Sequence, residues 1–412
     1  MDYFEKKNGY YIKQFGNGVR AVVRQTDSAV SYVGALVNAG SRDENPDKEG
    51  LAHFVEHTIF KGTENRKSWH ISNRMETIGG ELNAYTTKEE TMVYTNAPAG
   101  YVDRSLELIS DLFMNATFPQ VEIEREKVVV IEEIHSYRDS PADSVFDDFE
   151  ETIYAGSPMA HNILGSEDSV RKLASEDARD FIRSKYVGGN VVVYCSDPGD
   201  PEKNMEKIER YFSMLSSSGV PNERVTPEIL DPFEKNIDKG NHQANVIMGC
   251  RLFGRRDPRR HAMFLLNNYL GGPCMNSRLN MELRDKRGLV YTVESNVALM
   301  SDCGLLLIYF GTDPSSVKKC MRLVRNQIDG LAQNTLPERS FAKIRDQYCG
   351  QLIVGGEMRE NRAMAMAKSL LYYDEIHDIA HAAERIRSLT AEDLRMAAEM
   401  IAGRGLSSLT LV

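Results

Sequence analysis

Two histidines four residues apart, His53 and His57, flank Glu56 in the segment Leu51-Ala52-His53-Phe54-Val55-Glu56-His57. On a helix, positions i, i+3 and i+4 share a face, so both imidazoles and the carboxylate point the same way. Two imidazoles at this spacing can grip one zinc ion, and a carboxylate beside them can act on water at the metal. The order is H-x-x-E-H, the inverse of the commoner H-E-x-x-H arrangement. Catalytic zinc usually takes three protein ligands, and a carboxylate often joins two histidines. The best source of one is the run Glu122 to Ile134, where Glu126 and Glu133 are seven apart and share a helical face. Val128 to Ile131 is β-branched and also reads as a strand. The recurrence of Val121, Val128, Ile131 and Ile134 at helical intervals favours a helix over 121–138.

The surrounding elements must hold these segments together. Alternation and turn residues predict strands at 19–25 and 30–38, a helix at 50–60, and a second helix at 68–78 closed by Gly79-Gly80. Strands at 82–87 and 91–97 come next, then helices at 101–115 and 121–138, a strand at 190–195 and a helix at 201–214. Ser216 to Pro232 is rich in serine and proline and reads as a linker. Beyond it the order of elements returns: a strand at 244–251, a helix at 258–270, strands at 291–298 and 303–311, and a helix at 314–332. Leu336-Pro337 matches Phe118-Pro119 at an offset of 218, which sets Ile344 and Gln351 where Glu126 and Glu133 stand. A looser alignment sets Met263, Leu266 and Asn267 against His53, Glu56 and His57. The second half therefore repeats the layout without the ligands. The expected fold class is α+β, with two domains of like topology, each a mainly antiparallel sheet packed with helices. The expected boundaries are 1–215 for the metal-binding domain, 216–236 for the linker and 237–412 for the non-metal domain.

Length and composition agree with this division. A chain of 412 residues suits two domains of about 200. It is 27% charged and 42% hydrophobic, a globular composition, and no apolar run is long enough to span a membrane. Met1 to Lys7 lacks the apolar core of a secretory signal. The six cysteines form no C-x-x-C pair, so a cysteine zinc site is not expected, and reduced thiols in a cytoplasmic setting are. A net charge of −10 without a basic stripe argues against nucleic acid as a partner.

The chain resembles the pitrilysin-type, inverted-motif zinc peptidases, which include insulin-degrading enzyme and mitochondrial processing peptidase. Its length is similar to the short two-domain form. The resemblance runs through Gly50 to His57, Gly79 to Thr86, Glu126 to Glu133, Leu270 to Gly272 and Leu283 to Tyr291. It implies a zinc metalloendopeptidase with one Zn2+ per chain. The third ligand of such enzymes lies about 76 places past the second histidine, which falls on Glu133 and not Glu132. The resemblance implies Glu56 as general base, Glu126 in support of a ligand, and Asn83, Ala84 and Tyr85 along a substrate-binding strand. It implies Arg284 and Tyr291 near the transition state, with the tyrosine hydroxyl steadying the oxyanion. Substrates would be unfolded peptides, bound as an added strand in an enclosed chamber. Longer relatives have four such domains, so the resemblance implies a homodimer in which Arg284 and Tyr291 serve the partner's zinc site.

Two other readings bear on the same residues. A non-catalytic peptide-binding scaffold of the same family would be expected to lack the histidines or the base. A structural zinc site would close all four positions, mostly with cysteine. His377 and His381 are also four apart but have no glutamate at the inner motif position. The acid-rich stretch from Asp139 to Glu151 reads as a solvated helix face.

Overall fold

The computed structural model describes residues 3–412. Met1 and Asp2, part of the stretch read above as lacking a signal segment, lie outside the described residues. The first sheet has seven strands: β1 (Tyr3–Lys7), β2 (Tyr10–Gln14), β3 (Arg20–Gln25), β4 (Val30–Val37), β5 (Glu81–Thr86), β6 (Thr91–Pro98) and β7 (Val191–Asp197). Their spatial order is β1-β2-β3-β7-β4-β6-β5, antiparallel except for the β3–β7 pair. The second sheet contains β8 (Glu234–Ile237), β9 (Ala244–Phe253), β10 (Val290–Leu299), β11 (Cys303–Thr312) and β12 (Ser407–Leu411). Its order is β10-β11-β9-β12-β8, antiparallel except for β12–β8. The protein is thus α+β, with two mainly antiparallel sheets, each packed with helices.

Successive strand residues face opposite sides of a sheet. In the first sheet, Ala21, Val23, Val33, Ala35, Val37, Val191 and Val193 enter one core. That core includes residues of helices α1 (Leu51–Thr58), α2 (Ser68–Glu76), α3 (Val102–Asn115) and α4 (Gln120–Arg138). The intervening Val22, Leu36, Val192 and Tyr194 face the other side, against Ala363, Met366, Ala367 and Leu370 of the helix Arg359–Tyr373. The second sheet behaves alike. Val246, Met248, Leu306 and Ile308 pack toward the helices Arg260–Gly271, Val317–Gln333 and Ala391–Arg404. Ile247, Leu305 and Leu307 pack against Val145, Phe149 and Ile153 of the helix Pro141–Ile153.

Each sheet therefore has one face closed by a helix from the far half of the sequence. The compact units are interleaved accordingly. One comprises residues 1–134, 161–224 and 357–378, and the other 135–160, 225–356 and 379–412. One chain crossing, at Arg224 to Val225, falls inside the serine- and proline-rich stretch, and another falls at Gly356 to Glu357. The acid-rich stretch is helical, as its composition suggested, but it carries an apolar stripe that serves the second sheet.

Candidate metal centre

Helix α1 begins at Gly50, whose φ of +89° suits a residue without a side chain. A Cβ there would lie 2.5 Å from the carbonyl oxygen of Leu164. The buried face of α1 is apolar, with Leu51, Ala52, Phe54 and Val55 packed in the core. Burying these four leaves His53, Glu56 and His57 together on the adjoining face, as the spacing required.

Helix α4 supplies the carboxylates. Its inward residues are Ile123, Glu126, Val130, Ile131 and Ile134. Val121 and Val128, expected on the apolar stripe, are instead exposed. The helix is as expected but turned, because the face toward α1 carries Glu126 and Glu133 about two helical turns apart. Glu132 points to solvent.

His53 Nε2 lies 3.8 Å from Glu133 Oε2, and His57 Nε2 lies 3.5 Å from the same oxygen. The two imidazole rings meet edge to face at 4.5 Å between centroids. A tetrahedral zinc with bonds near 2 Å separates its ligand atoms by about 3.3 Å, so this donor set closely fits that ion. His53, His57 and Glu133 are the only such group of three among the described residues, which sets His377 and His381 aside.

The proton positions follow from the neighbours. His57 Nδ1 is 3.0 Å from Glu126 Oε1, and Lys61 Nζ is 2.7 Å from Glu126 Oε2. Burial raises the Glu126 carboxyl, but His57 and Lys61 outweigh it and hold its pKa below the ordinary value. An ionised Glu126 accepts the Nδ1 proton of His57, which leaves Nε2 with its lone pair free. Burial also opposes the charged form of His57, but the hydrogen bond to Glu126 and the charge of Glu133 raise its pKa overall. Burial, then the charge of His57, push His53 down to about 3, so it is neutral at ordinary pH. His53 Nδ1 is buried with no protein hydrogen-bond partner among the described residues.

Glu56 faces β5. Burial raises its pKa, opposed by a hydrogen bond with Thr86 and by His57. A carboxylate so raised is a better proton acceptor than one in water. Strand β5 is the last in its sheet, paired on one side only. The hydrogen bond from Thr87 N to Glu90 O sets the phase of the β5–β6 ladder. Antiparallel pairing alternates, so Asn83 and Tyr85 direct their main-chain groups toward β6, while Leu82, Ala84 and Thr86 direct theirs to the open edge.

The side chains of Asn83 and Tyr85 lie on the sheet face opposite Thr86. Asn83 is exposed. Tyr85 packs beside the helix Arg359–Tyr373, and its hydroxyl donates to Glu90 at 3.0 Å. Of the three residues expected along the substrate strand, Ala84 is the one whose main chain is open.

Arg284 and Tyr291 lie in the other compact unit and line one cleft there. Tyr291 is 82% exposed, and Arg284 Nη1 approaches Met275 Sδ at 3.6 Å. The positions aligned with the ligands hold buried Met263 and Leu266 in one helix and Ile344 and Gln351 in another. Sequence spacing did not single out Lys61 or Thr86. Lys61 is one turn past His57, a helical-neighbour signal that could have drawn attention to it. Thr86 reaches Glu56 only through the tertiary fold.

The described residues thus form two α+β units, one with an H-x-x-E-H helix beside a carboxylate-bearing helix. Residues 20–167 match the insulinase family, peptidase family M16, and residues 172–348 match the peptidase M16 inactive domain. A Streptomyces coelicolor protein named as an uncharacterized zinc protease is 31% identical over 396 residues, covering 94% of this chain and 86% of that protein. A Bacillus subtilis protein with the same description is 29% identical over 356 residues, 86% of each chain. A Helicobacter pylori protease shares the fold with a TM-score of 0.88 at 22% identity, over 99% of this chain and 100% of that one. A Pseudomonas fluorescens structure described as a peptidase M16 inactive domain gives a TM-score of 0.90 at 17% identity, over 98% of both. The chain belongs to peptidase family M16. Among the described residues no helix is long and apolar enough to cross a membrane, and none of the six cysteines is in a disulfide.

Proposed function

We propose that this protein is a zinc endopeptidase that hydrolyses unfolded peptides laid along the open edge of β5. The observation that carries the reading is the convergence of His53, His57 and Glu133 in one group, with Glu56 on the same helical face beside β5. His53, His57 and Glu133 would hold one Zn2+, which when bound would supply the Lewis acidity that activates water near neutral pH and polarises a carbonyl.

The chain's own residues do the rest. Glu56 takes the proton that the attacking water must lose and returns it to the leaving amine nitrogen. Glu126 fixes the tautomer and ring orientation of His57. Ala84 offers its main-chain N–H and C=O to an extended peptide, a mode that accepts varied sequences and rejects folded proteins. Arg284 and Tyr291 steady the tetrahedral oxyanion, each chain of a homodimer serving its partner.

The test compares wild type with Glu56→Gln. Both should carry about one zinc per chain by elemental analysis, as three ligands remain. Cleavage of an unstructured peptide should fall by about a hundredfold or more in the variant, the size of a lost general base. A wild-type protein without zinc, or a variant that cleaves as well as wild type, sinks the reading.

A further inference from the structure

Helix α1 has no capping side chain of its own, because its N-cap is Gly50. Its first amide groups are instead taken by Glu44, six residues upstream. Glu44 Oε2 accepts from Gly50 N at 2.8 Å and Oε1 accepts from Ala52 N at 2.6 Å. This carboxylate is wholly buried, and His161 Nε2 stands 3.2 Å from Oε2 and 2.9 Å from the carbonyl oxygen of Ser41. Ala52 is the residue before His53, so the carboxylate sets the height and rotation of α1 directly beside the ligand positions.

The segment that bears Glu44 is itself fastened to the turn joining β5 and β6. Ser41 N donates to Thr87 O at 3.1 Å, and Arg42 N donates to Lys88 O at 2.8 Å. Arg42 Nη1 and Glu89 Oε1 pair at 2.6 Å, each side chain only 1% exposed. Arg224 joins Asp43 at 2.7 Å to the carbonyl oxygen of Glu89 at 3.0 Å. Lys88 Nζ donates to the carbonyl oxygen of His161, which closes the loop. Residues 41–44 are thus held by the hairpin on one side and hold α1 on the other.

We propose that Glu44 is a positioning residue for peptide hydrolysis. Through the joint at Ser41–Glu44 it fixes the helix bearing His53, Glu56 and His57 at a set distance from the edge strand β5. This rests on the zinc peptidase reading above and adds a specific requirement to it. A plain stability role for a cap could be met by a serine or aspartate at the N-cap itself. Here Gly50 has φ +89° and the Leu164 carbonyl at its Cβ position, so the cap must come from elsewhere. A carboxylate that grips two amides also fixes orientation.

The test uses the full chain with Glu44→Gln, whose amide cannot accept through both atoms. Measurements are kcat and KM on an unstructured fluorogenic peptide, zinc affinity, thermal melting, and the visible spectrum of the Co2+-substituted protein. The expected result is a folded protein with kcat lowered about tenfold or more, as small misplacements of catalytic groups do, and KM changed by less than about twofold. The cobalt bands should shift, because the histidines move relative to Glu133. Wild-type kcat and an unshifted spectrum in the folded variant overturn the proposal. So does an activity loss that tracks metal occupancy alone, with the wild-type spectrum at saturation. If Glu44→Gln does not fold, His161→Gln, which leaves the carboxylate on α1 and disturbs its tether to Ser41, is judged by the same readouts. Failure of the parent reading is separate: it shows as wild type that neither holds zinc nor cleaves peptide.

Discussion

Glu126 sits between the Nδ1–H of His57 and the ammonium of Lys61, and its charge is what keeps the His57 Nδ1 proton in place. Replacing it by glutamine keeps the shape and removes the charge. Glu126→Gln should weaken zinc binding by about 10- to 100-fold, the usual cost of losing an outer partner of a ligand, measured by competition with a chelator. Unchanged affinity would mean that Glu126 does no more than pair with Lys61. At this scale the sequence was legible where one helix decides the geometry, as with His53, Glu56 and His57. It was not legible where side chains meet across elements, as with Thr86 and Glu56, because spacing carries no information about contacts between helix and strand. The exposed Val121 and Val128 make a related point. Apolar residues at helical intervals identified α4 as a helix, but its inward row is Ile123, Glu126, Val130, Ile131 and Ile134, which leaves Val121 and Val128 outside it.

Strand β5 is an edge whose outward main-chain groups belong to Leu82, Ala84 and Thr86. Ala84→Pro removes one outward N–H and leaves the β6 ladder intact, since proline is tolerated on an edge strand when its N–H faces away. The variant should melt near wild type and lose up to about tenfold in kcat/KM on peptides, the size of one main-chain hydrogen bond. Full activity would argue against docking by strand addition. Most strands and helices through residue 333 were readable from alternation and β-branched runs. The β1–β2 hairpin was missed although it carries the strongest short signal for one, Asn8-Gly9, and both residues have positive φ. Lysines in β1 mask its alternation. The helix Arg359–Tyr373 was not anticipated either, since its apolar residues are mostly small or methionine.

At the level of the whole molecule, the repeat was visible in element order and in the Pro119 and Pro337 neighbourhoods, and both sheets follow one plan. Interleaving was not visible, because a helix's partner sheet is chosen by complementary faces and not by nearness in sequence. Assembly is open to a direct check. If Arg284 and Tyr291 serve the partner's site, specific activity should fall on dilution in step with the dimer fraction measured by sedimentation. A fully active monomer would remove the shared-site proposal and leave the zinc chemistry untouched.

The exchange of covering helices also limits how this gene product can be divided. A polypeptide cut after residue 236 would keep every residue of the metal group yet lack Arg359–Tyr373. It would leave Tyr10, Val22, Leu36, Val192 and Tyr194 as a wet, sticky plane. The metal-binding half therefore cannot be harvested as an N-terminal fragment with this face covered.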